Sequence, residues 1–236
     1  MNINDNISIG ELASKSVEIR ELFDKIGIDY CCNGQVCLQD AIANNSLPAE
    51  NILSLINDVL MNEKETSNGV DPQKLNNKEL IEYIISKHHH YLRVHLPAIS
   101  DKFIKVLHAH SERHGVELKN LHEHFINLYN DLEPHLLKEE EQFFPEIISI
   151  RANEFFPEEI IKIVNELKDE HAEAGKEFEK IKHTSNNYIP PEDACLTFVA
   201  LYDELKNLEL DLHEHIHLEN NILFERIINN DDSYKS

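Results

Sequence analysis

Tryptophan is absent from this chain of 236 residues, and glycine (6) and proline (8) are scarce. So little turn punctuation excludes a fold of many short strands joined by tight hairpins and favours long helices. Positive charge is also in short supply. Lys and Arg number 22 against 44 Asp and Glu, a formal net charge of -22. That balance argues against nucleic acid and against anionic membrane surfaces as partners. No apolar run approaches the ~20 residues of a membrane span. The opening MNINDNISIGEL lacks the apolar core of a secretory signal. A soluble, cytoplasmic protein with reduced cysteines is expected.

What is present is apolar content of 41%, arranged too periodically for a disordered acidic chain, and an anomalous 15 histidines. The class is all-α. Residues 1–60 read as a small helical domain. Ser8 stands as an N-cap with Glu11 three residues on, and Gly27 stops the helix that follows. DYCCNGQVCLQDA comes next with an Asn33-Gly34 turn, and then LPAENILSLINDVL as a further helix. The polar stretch 61–77 reads as a linker.

Residues 78–236 carry four long periodic segments. The first places Ile85, His89, Leu92, Leu96, Ile99, Phe103, Val106 and His110 in steps of four and three. The second continues with Leu118, Leu121, Phe125, Leu128, Leu132, His135, Glu139 and Gln142. The third holds Ile160, Val164, Leu167, His171, Ala174, Phe178 and Ile181. The fourth holds Leu201, Leu205, Leu208, Leu212, His215, Glu219 and Ile222. Such alternation is the inward seam of a helix bundle, and four segments make a four-helix bundle. Pro97 and Pro134 should kink or interrupt their segments.

Each segment thus brings one in-phase histidine, His89, His135, His171 or His215, and two add a carboxylate one turn later, Glu139 and Glu219. One such residue is ordinarily a satisfied core group. Six together, buried and unpaired, would carry a ruinous desolvation cost. A shared metal removes the difficulty. The seam has no thiolate, and six N/O donors exceed the four of a structural zinc, so iron or manganese fits best. Two ions with Glu139 and Glu219 bridging is the economical arrangement. Phase selects His89, with His88 and His90 as neighbouring alternatives. Glu170 flanks the seam as a supporting group or ligand, and His110 lies near the end of its segment. Glu140 and Glu141 read as solvated, as do His213 and His217, whose face runs through Lys206, Glu209, Asn220 and Asn221. Cys31 and Cys32, adjacent at a turn, form a candidate thiol site for metal, sulfur species or disulfide exchange. Cys195 reads as a packing residue.

At IDYCCNGQVCLQDA, HLLKEEEQFFP, DEHAEAG, IKHTSNNYIPPEDAC and HIHLENNILF the chain resembles the Repair of Iron Centres family, the YtfE/ScdA-type iron-sulfur cluster repair proteins. The resemblance spans nearly the whole chain. It implies a hemerythrin-like bundle with a non-haem di-iron centre, and it places the ligands on His89, His135, His171 and His215 with Glu139 and Glu219 bridging. The implied function is restoring clusters damaged by nitrosative or oxidative stress by supplying iron, with damaged iron-sulfur proteins as partners and a homodimer compatible. The rival readings are a hemerythrin-like carrier or sensor of O2 or NO, and an NO reductase or peroxidase using the same centre. Pro134 before His135, and LFERI in place of a Phe-Pro ending, depart from the family pattern.

Overall fold

The structure is a computed structural model that describes residues 7–62 and 70–235. Part of the expected linker, 63–69, lies outside the described residues. Among the described residues the backbone is helical, with one isolated bridge, Ser8 to Cys37, and no strand. No described helix is long and apolar enough to cross a membrane. Contacts divide the chain into two compact units, residues 1–76 with 213–234, and residues 77–212 with 235–236.

In the first unit, the Ser8 hydroxyl accepts from the Glu11 N–H and starts α1 (Ile9–Lys15). The sequence reading carries this helix on to Gly27. The chain instead breaks at Ser16, which is extended (φ -157°, ψ 141°) and caps α2 (Val17–Ile26) by accepting from the Ile19 N–H. A serine hydroxyl competes with helical bonding and favours a cap over an interior position. Buried Arg20 spans the break, donating to the Ala13 carbonyl at 2.7 Å. Gly27 ends α2 at φ +76°, as its position in the sequence suggests. Helices α3 (Leu38–Asn44) and α4 (Ala49–Asn62) complete a core that includes Leu12, Phe23, Leu38 and Ile56.

The same unit holds the end of α9 (Leu196–Leu218), a π-helical turn over Glu219–Leu223, and α10 (Phe224–Ile228). Here the solvated reading of His213, His217, Asn220 and Asn221 is overturned. His217 is fully buried and Asn220 nearly so. His213 pairs with Asp24 at 2.7 Å, and the Tyr30 ring meets His217 edge-on at 5.4 Å. Polar residues on this face are covered because each finds a partner in the N-terminal segment, which removes the cost of burying them. The Asn221 amide donates to the Tyr30 carbonyl (3.0 Å), the Cys31 carbonyl (3.2 Å) and the His217 ring (3.1 Å). His217 Nε2 then donates to Ser14 Oγ (3.3 Å), whose hydroxyl donates to the Gly10 carbonyl (2.9 Å).

Burial holds the His217 imidazole neutral, with its pKa pushed down to about 3. The unfolded chain takes up that proton near pH 6.5, so stability from this group is complete above 6.5 and is lost as pH falls from there towards 3. Unfolding free energies from urea titration should fall across pH 6.5 to 5 by up to about 1.4 kcal/mol per pH unit more in the wild type than in His217→Asn. Equal slopes would remove His217 from the acid response. Gly34 offers a second check. A Cβ there would sit 1.8 Å from Asn221 Oδ1. Gly34→Ala must displace the Asn221 amide and should lower unfolding free energy by about 2 kcal/mol in urea titration.

The second unit begins with α5 (Asn77–Ile84) and a π-helical turn over Ile85–His89. The chain continues as α6 (His90–Lys138), followed by a π-helical turn over Glu139–Phe143, α7 (Phe144–Ser149) and α8 (Glu158–Thr184). The first half of α9 closes the unit. A straight helix as long as α6 would hold its ends roughly 70 Å apart. Yet the Phe103 and Phe125 rings lie 5.1 Å apart, and His89 reaches Glu140 at 2.6 Å. Both pairs are centred beside Gly115, so α6 reverses there and forms two antiparallel arms. Pro97 and Pro134 sit inside these arms without interrupting them. Both face solvent, where the carbonyl left without a partner meets water. The apolar seam residues of all four arms are buried, from Leu92 and Phe103 through Leu121 and Leu128 to Val164, Leu167, Leu205 and Leu208.

Candidate metal centre

Six polar side chains interrupt this apolar seam, and all are buried: His89, His135, Glu139, His171, His215 and Glu219. Three of them sit at π-helical turns. His89 closes one, Glu139 opens the second and Glu219 opens the third. A π-helical turn carries one residue more than an α-helical turn and re-aims the side chains beside it.

Glu139 is the centre of the arrangement. Its side chain has no exposure, and neither oxygen accepts a hydrogen bond. Its oxygens lie 3.4 Å from His89 Nε2, 3.3 Å from His135 Nε2 and 4.0 Å from His171 Nε2. His135 Nε2 and His171 Nε2 face each other at 3.1 Å. His215 Nε2 lies 3.1 Å from Glu219 Oε1. The outer ring nitrogens explain this convergence. His89 Nδ1 is 2.6 Å from Glu140, and His135 Nδ1 is 2.6 Å from Glu170. A carboxylate only accepts, so each Nδ1 carries the proton and each Nε2 turns a lone pair inward. A buried anion without a hydrogen bond, ringed by imidazole lone pairs, is a set of donors without an acceptor, and a cation completes it. Within this unit one donor atom from each of His135, Glu139 and His171 lies within 4.8 Å of the others, while His215 and Glu219 form a pair of their own at the end of α9.

The Hemerythrin HHE cation binding domain family matches residues 80–227. The chain belongs to the hemerythrin HHE family. Residues 5–60 match a second family, ScdA_N, described as a domain of unknown function. The chain is also similar to two sets of relatives over nearly its whole length. An iron-sulfur cluster repair protein ScdA from Staphylococcus haemolyticus is 29% identical over 228 residues, which is 96% of this chain and 99% of the relative. Iron-sulfur cluster repair proteins YtfE from Escherichia coli and Shigella boydii are each 34% identical over 220 residues, 93% of this chain and 96% of the relative.

In this hemerythrin HHE chain the neighbours of His89 take other roles. His88 is buried against Asp211 at 3.0 Å, and His90 is exposed. Glu170, read as a flanking group, stands behind His135. The hydrogen bond from His135 draws its carboxyl down to about 2, with help from Lys138. Glu140, read as a solvated acid, is a group that sequence reasoning missed. It accepts from both His89 and Arg93, and although burial pushes its carboxyl up, those two bonds hold it below the usual carboxylate range. Its position directly after the seam glutamate is the only signal that could have found it. His110 lies away from the donor cluster. Its ring packs on Phe198 at 5.2 Å, and its hydrogen bond draws the Cys195 thiol down to about 7. Cys195 is exposed, which corrects its reading as a packing residue.

Cys31 and Cys32 lie in a different place from the six seam donors. Their sulfurs are 3.8 Å apart and unbridged. Hydrogen bonding with Cys32, then burial, pushes the Cys31 thiol well up.

Glu140→Gln keeps the size of the side chain but weakens its hold on the His89 ring. Outer partners of metal-binding histidines contribute about 10–100-fold to metal affinity. Chelator competition should show a loss in that range, with the helical circular dichroism unchanged.

Proposed function

We propose that this protein repairs damaged iron-sulfur clusters by donating iron held between its seam residues. The observation that carries the reading is the buried Glu139 carboxylate, which accepts no hydrogen bond and has Nε2 of His89, His135 and His171 at 3.4, 3.3 and 4.0 Å. His89, His135, His171 and His215 would hold two irons, with Glu139 and Glu219 as the carboxylates between them, which is the ligand set that the family resemblance implies. The relatives' name, iron-sulfur cluster repair protein, supports the same reading. Iron bound there supplies a redox-active ion that four imidazoles and two carboxylates can hold in either charge state.

The residues suit a donor. Glu139 and Glu219 are hard anionic ligands, which hold a more highly charged ion more tightly. Reduction of ferric cargo to ferrous by an external electron donor would loosen their grip, and one ferrous ion could then pass to a damaged cluster. Glu140 and Glu170 keep His89 and His135 turned inward through loading and release. Damaged iron-sulfur proteins are the partners this activity requires.

Elemental analysis of the purified protein should give close to two irons per chain, and Glu139→Ala should lose most of both. The reduced wild type should also restore activity to an iron-sulfur enzyme whose cluster has lost an iron, with matching loss of iron from the donor. Full iron retention in the presence of that acceptor would overturn the donor reading.

A further inference from the structure

The turn that joins α2 to α3 holds a second set of metal donors, separate from the seam. One donor atom each from Asp29, Cys31 and Cys32 lies within 4.8 Å of the others. We propose that these three residues form a thiolate site for a divalent, thiophilic metal ion.

The spacing matches such an ion. Metal-sulfur bonds of about 2.3 Å with sulfurs 3.8 Å apart subtend an angle of about 111° at the ion, close to tetrahedral. Asp29 Oδ1 lies 3.2 Å from Cys31 Sγ, which with a metal-oxygen bond of about 2.1 Å gives about 93°. Neighbouring residues in extended chain point to opposite sides, so two successive sulfurs on one side need a shaped turn. That shape is built in. Asp29 accepts from the Cys32 N–H at 3.0 Å and from the Asn33 amide at 2.6 Å. From the other side, Asn220 and Asn221 donate to the Cys31 carbonyl at 3.1 and 3.2 Å. Gly34 leaves the room that Asn221 occupies. The donors are therefore held in place before an ion arrives.

Three protein donors, rather than the four of a closed structural zinc site, leave a fourth position open. Cys31 is buried, Cys32 is half-buried and Asp29 is exposed, so the ion has a protein side and a solvent side. Binding forms two metal-sulfur bonds and one metal-oxygen bond, and releases the two thiol protons to solvent. No electron is transferred. An incoming thiolate on an acceptor can take the fourth position and then draw the ion away. That the ion carried is ferrous iron rests on the repair reading, whereas the existence of the site does not.

Anaerobic titration of the reduced full-length protein with Co2+ tests the site. The seam donors are nitrogen and oxygen only, so a thiolate-to-cobalt charge-transfer band reports this turn. The band should saturate at one ion per chain, and X-ray absorption on the same sample should show sulfur at about 2.3 Å. Cys32→Ser should cut the band at saturation to about half or less and weaken the binding behind it by at least about tenfold, the lower bound for losing even an outer partner. Cys37→Ser and Cys195→Ser should leave the band in place. No band in the wild type, or an undiminished band in Cys32→Ser, overturns the proposal. A normal band with no iron transfer would keep this site and remove the repair reading. Iron transfer with no band would do the reverse.

Discussion

A glutamate carboxylate buried without a hydrogen bond is the constraint on which the rest of this structure depends. An isolated carboxylate moved from water to a protein interior costs several kcal/mol even after relaxation. Glu139 stands in that position with three imidazole nitrogens at its oxygens. Much around it serves to make that burial tenable. The π-helical turn at Glu139–Phe143 aims it, Glu140 and Glu170 fix the histidine tautomers, and Arg93 and Lys138 anchor those two outer carboxylates. The layers run outwards from central carboxylate to neutral imidazole, outer carboxylate and cation. The apolar seam then excludes water, so these contacts act in a medium of low dielectric, where each is stronger.

The first unit solves a different problem with similar means. It has a modest core and breaks its first helix at Ser16, and it is tied together by amides and rings. Asn221 gathers two carbonyls and an imidazole, Arg226 gathers the carbonyls of Leu75 and Gln73 (2.9 Å each), and Tyr30 packs on His213 and His217. Buried polar networks of this kind specify one geometry because a partly made network is costly. The thiol turn Cys31-Cys32 inherits that rigidity.

The seam was legible because its signal is periodic. Leu92, Leu96, Ile99 and Phe103 set a phase, and His89 falls on it without knowledge of any neighbour. The same logic failed for His217. A face of His, Glu and Asn looks solvated until a segment far earlier in the chain supplies Ser14 and Tyr30 to cover it, and no local pattern encodes so distant a partner. Glu140 was missed for a related reason. It lies one step off the seam, where acidic residues are ordinary, and its role follows from His89, which reaches it only when α6 doubles back. The break at Ser16 was readable in principle, since Ser16 is as good a cap as Ser8, but apolar periodicity continues across it. The π-helical turns left no mark, because each differs from α-helix by a single residue.

The reversal of α6 beside Gly115 has a kinetic consequence. Contacts close to the bend join residues few steps apart, so their loops close at little entropic cost and form early. Phe103 and Phe125 come next, and His89 and Glu139 sit at the open end. A hairpin that zips from its bend outwards brings its costliest polar pair together last, when the apolar part is already in place. Within that hairpin His89, His135 and Glu139 meet across the longest loop, so the apolar rows nearer the bend carry the lower closure cost.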